Sequence, residues 1–340
     1  MMDDLVAKLN EVEDYEQTVR VILAFAAFVV HDGVEQREGA EFGLGRRMNT
    51  SPHNAISPSI VVTPDLVAQK SSTYGLIVEV KKSLPQNTEY WRAYVRQLRK
   101  YDDYLTGWWT EDESLETVNV IILVHHSRSR PFTRLLKELA QTNPEEVGDR
   151  SCVVEFIRSD ERVPYYSYRL EFGEIADAEL AGRVADGVEV PFNKVLSSFP
   201  NLKYYDSEPP LALLLTNLWL DVLPALAADK ERDEKLKAHR VLASVQEVTA
   251  ELQRAYGSST LSEDSRSVQF PKKMWVRKGF DRLVSYGLGA SLDGDADRYE
   301  IYYRRFNVDV LERFVQLAHD WESSHREPQP QQASLFPELD

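Results

Sequence analysis

Cysteine is nearly absent from this 340-residue chain: Cys152 stands alone, so no disulfide can close within it. A lone thiol fits a reducing compartment, and the expected location is the cytoplasm. Long apolar runs are missing too. The longest, Val21 to Val30, is half of the ~20 residues that a spanning helix needs, so no membrane association is expected. The Met-Met-Asp-Asp-Leu start has no basic region of the kind that opens a signal peptide. A basic surplus is absent as well, because the net charge is -15. That excludes a wholly basic nucleic-acid coat but leaves room for local basic patches.

What is present is a soluble, globular composition, 43% hydrophobic and 28% charged, long enough for two domains of ordinary size or one large one. The periodicity from Val12 to Val30 predicts a helix with Glu16 on its apolar stripe. Residues 35–57 read as irregular. Ile60 to Leu66 and Tyr74 to Ser83 read as strands joined into a hairpin by the polar Gln69–Thr73. Tyr90 to Leu105 reads as a helix and Thr117 to His126 as a buried central strand. A helix with an early proline is expected over Pro131–Thr142, then strands over Ser151–Ile157 and Tyr165–Phe172. This order predicts a mixed sheet flanked by helices, an α/β fold.

After a linker at 201–210, helices are expected at Leu211–Ala227, Val241–Tyr256 and Lys272–Tyr286. A hairpin follows at Ala290–Arg305, turning at Asp293-Gly294-Asp295, and then a helix at Asn307–Ser323. Residues 324–340 are polar and proline-rich, and read as a disordered tail.

Strand residues alternate faces, so Glu79 and Lys81 project together, away from Leu76, Val78 and Val80. A hairpin brings Asp65 beside them. Two converging carboxylates call for a cation, and oxygen ligands suit Mg²⁺ or Mn²⁺ better than zinc. The lysine cannot bind that cation, but it can orient a water or stabilise charge on a phosphate.

Pro64-Asp65, thirteen residues, then Glu79-Val80-Lys81 resembles the PD-(D/E)xK nuclease superfamily, with its restriction-endonuclease-like fold. Gln97-Leu-Arg-Lys-Tyr101 resembles the QxxxY motif of its exonuclease-type branch. The resemblance covers roughly residues 12–104. It implies a metal-dependent deoxyribonuclease in restriction, repair or mobile-element defence. In that reading Asp65 and Glu79 bind the metal, with Glu16 as a third ligand and Glu35 and Glu38 as rivals to it. Lys81 positions the attacking water, and Gln97 and Tyr101 support the site. The alternative is a non-catalytic DNA-binding or clamp-associated protein on a degenerate nuclease fold. Arg92, Arg96 and Lys100, at a spacing of four, form a cationic row suited to DNA phosphates.

The second half resembles a winged helix-turn-helix domain over residues 211–323, following a nuclease-like domain at 1–200. Trp275 to Gly289 would be its recognition helix and turn. Residues 266–305 hold nine Lys or Arg against five Asp or Glu, so this region is basic in an acidic chain. Lys272, Lys273, Arg277, Lys278 and Arg282 are the expected DNA contacts. The tail's Gln332-Ala-Ser-Leu-Phe336 resembles a bacterial sliding-clamp-binding peptide. That resemblance implies anchors at Leu335 and Phe336 and a polar contact from Gln332.

Overall fold

The structure, a computed structural model, describes residues 2–32, 35–51, 60–81, 88–102, 104–109, 115–159, 164–199, 204–205, 207–228, 231–256, 270–292 and 296–325. The Asp293–Asp295 turn and the Gln332–Phe336 peptide lie outside them. The chain divides into two compact units. One holds residues 16–208 and 253–271; the other holds 1–15, 209–252 and 272–340.

The first unit is built on a seven-stranded mixed sheet. Its strands are β1 (Glu41–Leu44), β2 (Leu66–Gln69), β3 (Tyr74–Lys81), β4 (Thr117–His125), β5 (Ser151–Ser159), β6 (Tyr165–Phe172) and β7 (Val188–Pro191). They lie side by side in chain order, β1 to β7. The centre, β3-β4-β5, is parallel, and the flanks on both sides are antiparallel. Parallel neighbours need crossovers, and helices supply them: α2 (Thr88–Leu98) between β3 and β4, and α3 (His126–Thr142) between β4 and β5. Both central strands are buried almost throughout, as residues covered on two faces must be. One core cluster joins Ile77 of β3 and Val120, Ile122 and Val124 of β4 to Trp91, Tyr94, Val95 and Leu98 of α2 and to Phe132, Leu135 and Leu136 of α3. The long helix α1 (Met2–Val30) meets β6, where Phe25 lies edge-on to Tyr168 at 5.2 Å and the Tyr168 hydroxyl donates to the Val21 carbonyl at 2.9 Å.

Several expected boundaries change. The strand expected over Ile60–Leu66 is two pieces. Ile60–Val62 belongs to a separate three-stranded sheet, and β2 begins at Leu66. Pro64 has no N–H to offer a ladder, so the chain bends there before pairing with β3. The stretch 35–57, expected to be irregular, contains β1 and a short strand, Met48–Ser51. The Tyr90–Leu105 helix stops at Leu98, tightens into a 3-10 turn at Arg99–Tyr101 and becomes a strand at Tyr104–Thr106. Helix α3 starts five residues earlier than expected, because the His125 ring accepts the Ser127 N–H and caps it ahead of Pro131. Tyr204 and Tyr205, in the segment expected to be a linker, are buried.

A salt-linked corner joins β2 to the helix α4 (Ala178–Ala185). Lys70 reaches Asp177 at 2.6 Å and Glu179 at 2.8 Å, and Arg37 forks onto Glu179 at 2.9 and 3.0 Å. The hydrogen bonds from Arg37, then those from Lys70, pull the Glu179 carboxyl down to about 2. A carboxyl whose folded value lies below its unfolded one stabilises the fold above the unfolded value, and loses that contribution as pH falls through the folded one. The contribution from Glu179 is therefore expected to disappear between about pH 4.5 and 2. Glu179 is half exposed, so Glu179→Gln should cost at most about 1 kcal/mol at neutral pH. Acid titration of the melting temperature should give a flatter limb for Glu179→Gln than for the wild type. Parallel limbs would remove the assignment.

The second unit packs helices on one face of a four-stranded sheet. Helix α5 (Leu211–Asn217) continues through a wide turn to Ala227. The strands β8 (Arg232–Asp233) and β9 (Ala238–Ser244) follow, then the helices α6 (Val245–Tyr256) and α7 (Lys273–Ser285). Strands β10 (Gly289–Ser291) and β11 (Arg298–Tyr303) and the helix α8 (Val310–His325) complete it. The sheet order is β8-β9-β11-β10, antiparallel throughout. The expected helix at Val241 is instead strand up to Ser244. Val241 and Ala243 are buried while Arg240 and Leu242 are exposed, an alternation of period two. Trp219 anchors the core by stacking on Phe306 at 4.9 Å and donating to the Arg304 carbonyl at 2.9 Å. Among the described residues, no helix is long and apolar enough to cross a membrane.

Candidate active site

Asp65 sits at the bend leading into β2, and Glu79 lies near the end of β3. The last registered pair of this hairpin is Leu66 opposite Val78, which sets Asp65 against Glu79. The Val80 N–H donates to Asp65 Oδ2 at 2.7 Å, pinning the aspartate to the neighbouring strand. The residue types explain the placement: proline turns the chain, and a buried β-branched strand holds the partner side rigid.

Glu79 is only 9% exposed, yet it is surrounded by donors. The Tyr101 hydroxyl donates to Oε1 at 2.5 Å, and Lys100 Nζ lies 3.6 Å from the same oxygen. Oε2 has one loose neighbour among the described residues, Lys81 Nζ at 3.9 Å. The lysines are steadied by rings, Lys81 over Tyr94 at 4.7 Å and Lys100 over Tyr101 at 4.5 Å. Burial, then the Glu79 charge and the hydrogen bond to it, raise the Tyr101 phenol far above its ordinary value, so it stays a donor.

Tyr94 also borders the site. Burial and the charges of Glu79 and Asp65 hold its phenol protonated. Its hydroxyl is buried and has no hydrogen-bond partner among the described residues. Such a group is costly unless something else accepts its proton. Sequence reasoning missed it, although Tyr94 lies seven residues before Tyr101, two turns along the helix expected there.

The remaining expected residues fall elsewhere. Gln97 is exposed on α2, whereas Tyr101, in the 3-10 turn that follows, is buried. Glu16 bonds to Arg20 at 3.2 Å on its own helix. Among the described residues no three His, Cys, Asp or Glu side chains gather closely enough to hold a metal, so Glu16 does not join Asp65 and Glu79. Of the two rival glutamates, Glu35 lies on a two-residue strand and Glu38 in a turn. The row Arg92, Arg96, Lys100 is broken by the same 3-10 turn: Lys100 turns to Glu79, and Arg96 faces Glu146 at 3.7 Å. The pair Asp65 and Glu79 still fits Mg²⁺, which takes one or two carboxylates and keeps waters and phosphate oxygens as its other ligands.

In the second unit, α7 turns Trp275, Val276, Phe280 and Leu283 inward and Lys273, Met274, Arg277 and Lys278 outward. Arg277 pairs with Asp297, beyond the loop that joins β10 to β11. Arg282 lies on the Trp321 ring at 3.7 Å, and Lys272 is 5.5 Å from the Trp275 ring. Compared with protein-family models, with curated proteins and with solved structures, the chain matches none.

Proposed function

We propose that this protein is a Mg²⁺-dependent deoxyribonuclease, and the observation that carries the reading is Asp65 held beside Glu79 with Lys81 on the same strand face. The strand order around the pair supports it. An antiparallel β1-β2-β3 followed by an α2 crossover to a parallel β4 is the arrangement that a restriction-endonuclease-like fold implies. Asp65 and Glu79 would hold the metal, which when bound lowers the pKa of a water and offsets charge on the phosphate. Tyr101 and Lys100 occupy Glu79 Oε1, so Oε2 would serve the metal. Lys81 would act on the attacked phosphate or its water, and Tyr94, under the Lys81 ammonium, would offer a buried donor beside it.

The second unit would hold the DNA. Its order of helix, two strands, two helices, two strands and a helix, with β11 between β9 and β10, supports a winged-helix reading, in which α7 would be the recognition helix. The outward Lys273 and Lys278 are expected to contact phosphates. Replacing both with glutamine should lower the slope of log affinity against log salt by about 2. An unchanged slope would move DNA binding off α7. The primary test is incubation of the full chain with linear, circular, single-stranded and branched DNA, with Mg²⁺ or with chelator. Cleavage only with metal is expected; intact DNA of every form would favour a binding protein on the same fold. The Gln332–Phe336 peptide plays no part in this reading.

A further inference from the structure

In the second unit the helix that follows α5 ends at Ala227. Beyond it opens a cavity of about 390 Å³ lined by Arg232, Lys237, His239, Tyr303, Arg304 and Arg305. His239 pairs across the ladders with Arg232 on β8 and with Tyr303 on β11, so three strands bring these groups to one place. No carboxylate lines the cavity among the described residues. Asp233, next to Arg232 in sequence, turns instead to Arg240 at 3.2 Å. None of Arg232, Lys237, Arg304 and Arg305 enters an ion pair among the described residues. Elsewhere in this unit the arginines Arg240 and Arg277 are paired with aspartates.

One further observation points to an absent partner. The His239 Nδ1 atom is buried without a hydrogen-bond partner among the described residues. Lys237 closes the turn between β8 and β9 at φ 51°, which fixes where its side chain leaves the hairpin.

We infer that this cavity binds phosphate groups. Four uncompensated cations in one cleft call for a multiply charged anion, since a single carboxylate would leave most of that charge unmatched. Guanidinium forks suit phosphate oxygens, two bonds at a time. The ligand is either a free di- or triphosphate or two adjacent phosphates of a nucleic-acid strand. The inference does not rest on the nuclease reading. The cavity lies where β11 ends, whereas the loop from β10 enters at its start, and the cavity shares no residue with the outward face of α7.

The test is a calorimetric titration of the full chain, in low salt without divalent metal, with pyrophosphate, adenosine triphosphate and a single-stranded 12-mer DNA. Pyrophosphate should bind, and Arg304→Gln with Arg305→Gln should weaken it by about tenfold or more. Arg232→Gln serves as a second variant if that pair fails to fold. Lys273→Gln with Lys278→Gln should leave pyrophosphate affinity unchanged. The His239 ring resonances should shift when pyrophosphate is added to the wild type. Displacement of pyrophosphate by the 12-mer would assign the site to a strand backbone; binding of adenosine triphosphate but not of the 12-mer would assign it to a free nucleotide. No heat with millimolar pyrophosphate, or equal affinity in wild type and variants with a silent His239, would overturn the inference.

Discussion

Glu79→Gln is expected to remove metal-dependent DNA cleavage, by roughly 10²–10³-fold or more, the scale of losing a preorganised electrostatic group. The amide keeps the shape of the carboxylate and can still accept the Tyr101 hydroxyl at Oε1. What it loses is the charge at Oε2 that a cation needs, together with the counter-charge for Lys81 and Lys100. Folding should survive, because the burial of β3 does not depend on that charge. Tyr101→Phe separates support from chemistry. It leaves the carboxylate but frees Oε1 to rotate, and removal of such an orienting partner typically costs about 10–100-fold. Part of that loss should be recovered at higher Mg²⁺, whereas the loss in Glu79→Gln should not. Full activity in Glu79→Gln, measured as initial cleavage rate across a Mg²⁺ series, would remove the site.

Asn119→Ala is expected to destabilise the first unit by about 3–5 kcal/mol, because it strands several buried polar groups at once. Asn119 is 4% exposed, the third residue of β4. Its Oδ1 accepts the Tyr74 hydroxyl at 3.0 Å and the Ala176 N–H at 2.9 Å, while its Nδ2 donates to the Glu174 carbonyl at 3.0 Å. The Cys152 thiol also donates to the Glu174 carbonyl, at 3.2 Å, and burial pushes that thiol up to about 12. The network ties the turn after β6 to the sheet. Gly173 opens that turn at φ +82°, and a Cβ there would lie 2.4 Å from the Ser151 carbonyl oxygen. Tyr74→Phe alone should cost about 1–2 kcal/mol, and the double variant should cost less than the sum, by about 1 kcal/mol. Urea melts followed by tyrosine and tryptophan fluorescence give all three values. A loss below about 1 kcal/mol for Asn119→Ala would mean that water replaces the amide.

The sequence carried the mixed α/β character and the central strands clearly, because β3 and β4 are rich in valine and isoleucine and buried on two faces. It also carried the pairing of Asp65 with Glu79, since alternation along a strand decides which side chains share a face. It misplaced what depends on tertiary context. β9 looked helical because Val241, Val245 and Val248 satisfy a 3.6-residue period, yet the strand pairing of Val241 with Ile301 wins locally. Arg92, Arg96 and Lys100 looked like one row because an unbroken helix was assumed. The 3-10 turn at Arg99 rotates Lys100 out of the row and onto Glu79. Glu16 looked inward from its apolar neighbours, but its carboxylate turns back to Arg20. The cationic cavity was illegible, since Arg304 and Arg305 follow a strand that only the sheet order brings beside the Arg232–His239 hairpin.

The strand order β1 to β7 is also the order in which a ribosome releases the chain. Each new strand therefore meets a neighbour already made, and none waits for a segment still to be synthesised. Sheet growth can follow elongation, at about 5–20 residues per second, strand by strand along one advancing edge. Asp65, Glu79 and Tyr101 all precede β4, so the carboxylate pair and its tyrosine are complete in the chain before either parallel partner of the central trio has emerged. The exposed side of β3 during that interval is apolar, and the first segment able to cover it is α2, which immediately follows. The helix that carries Tyr94 to the site thus also covers the apolar face of the nascent sheet before β4 closes its edge.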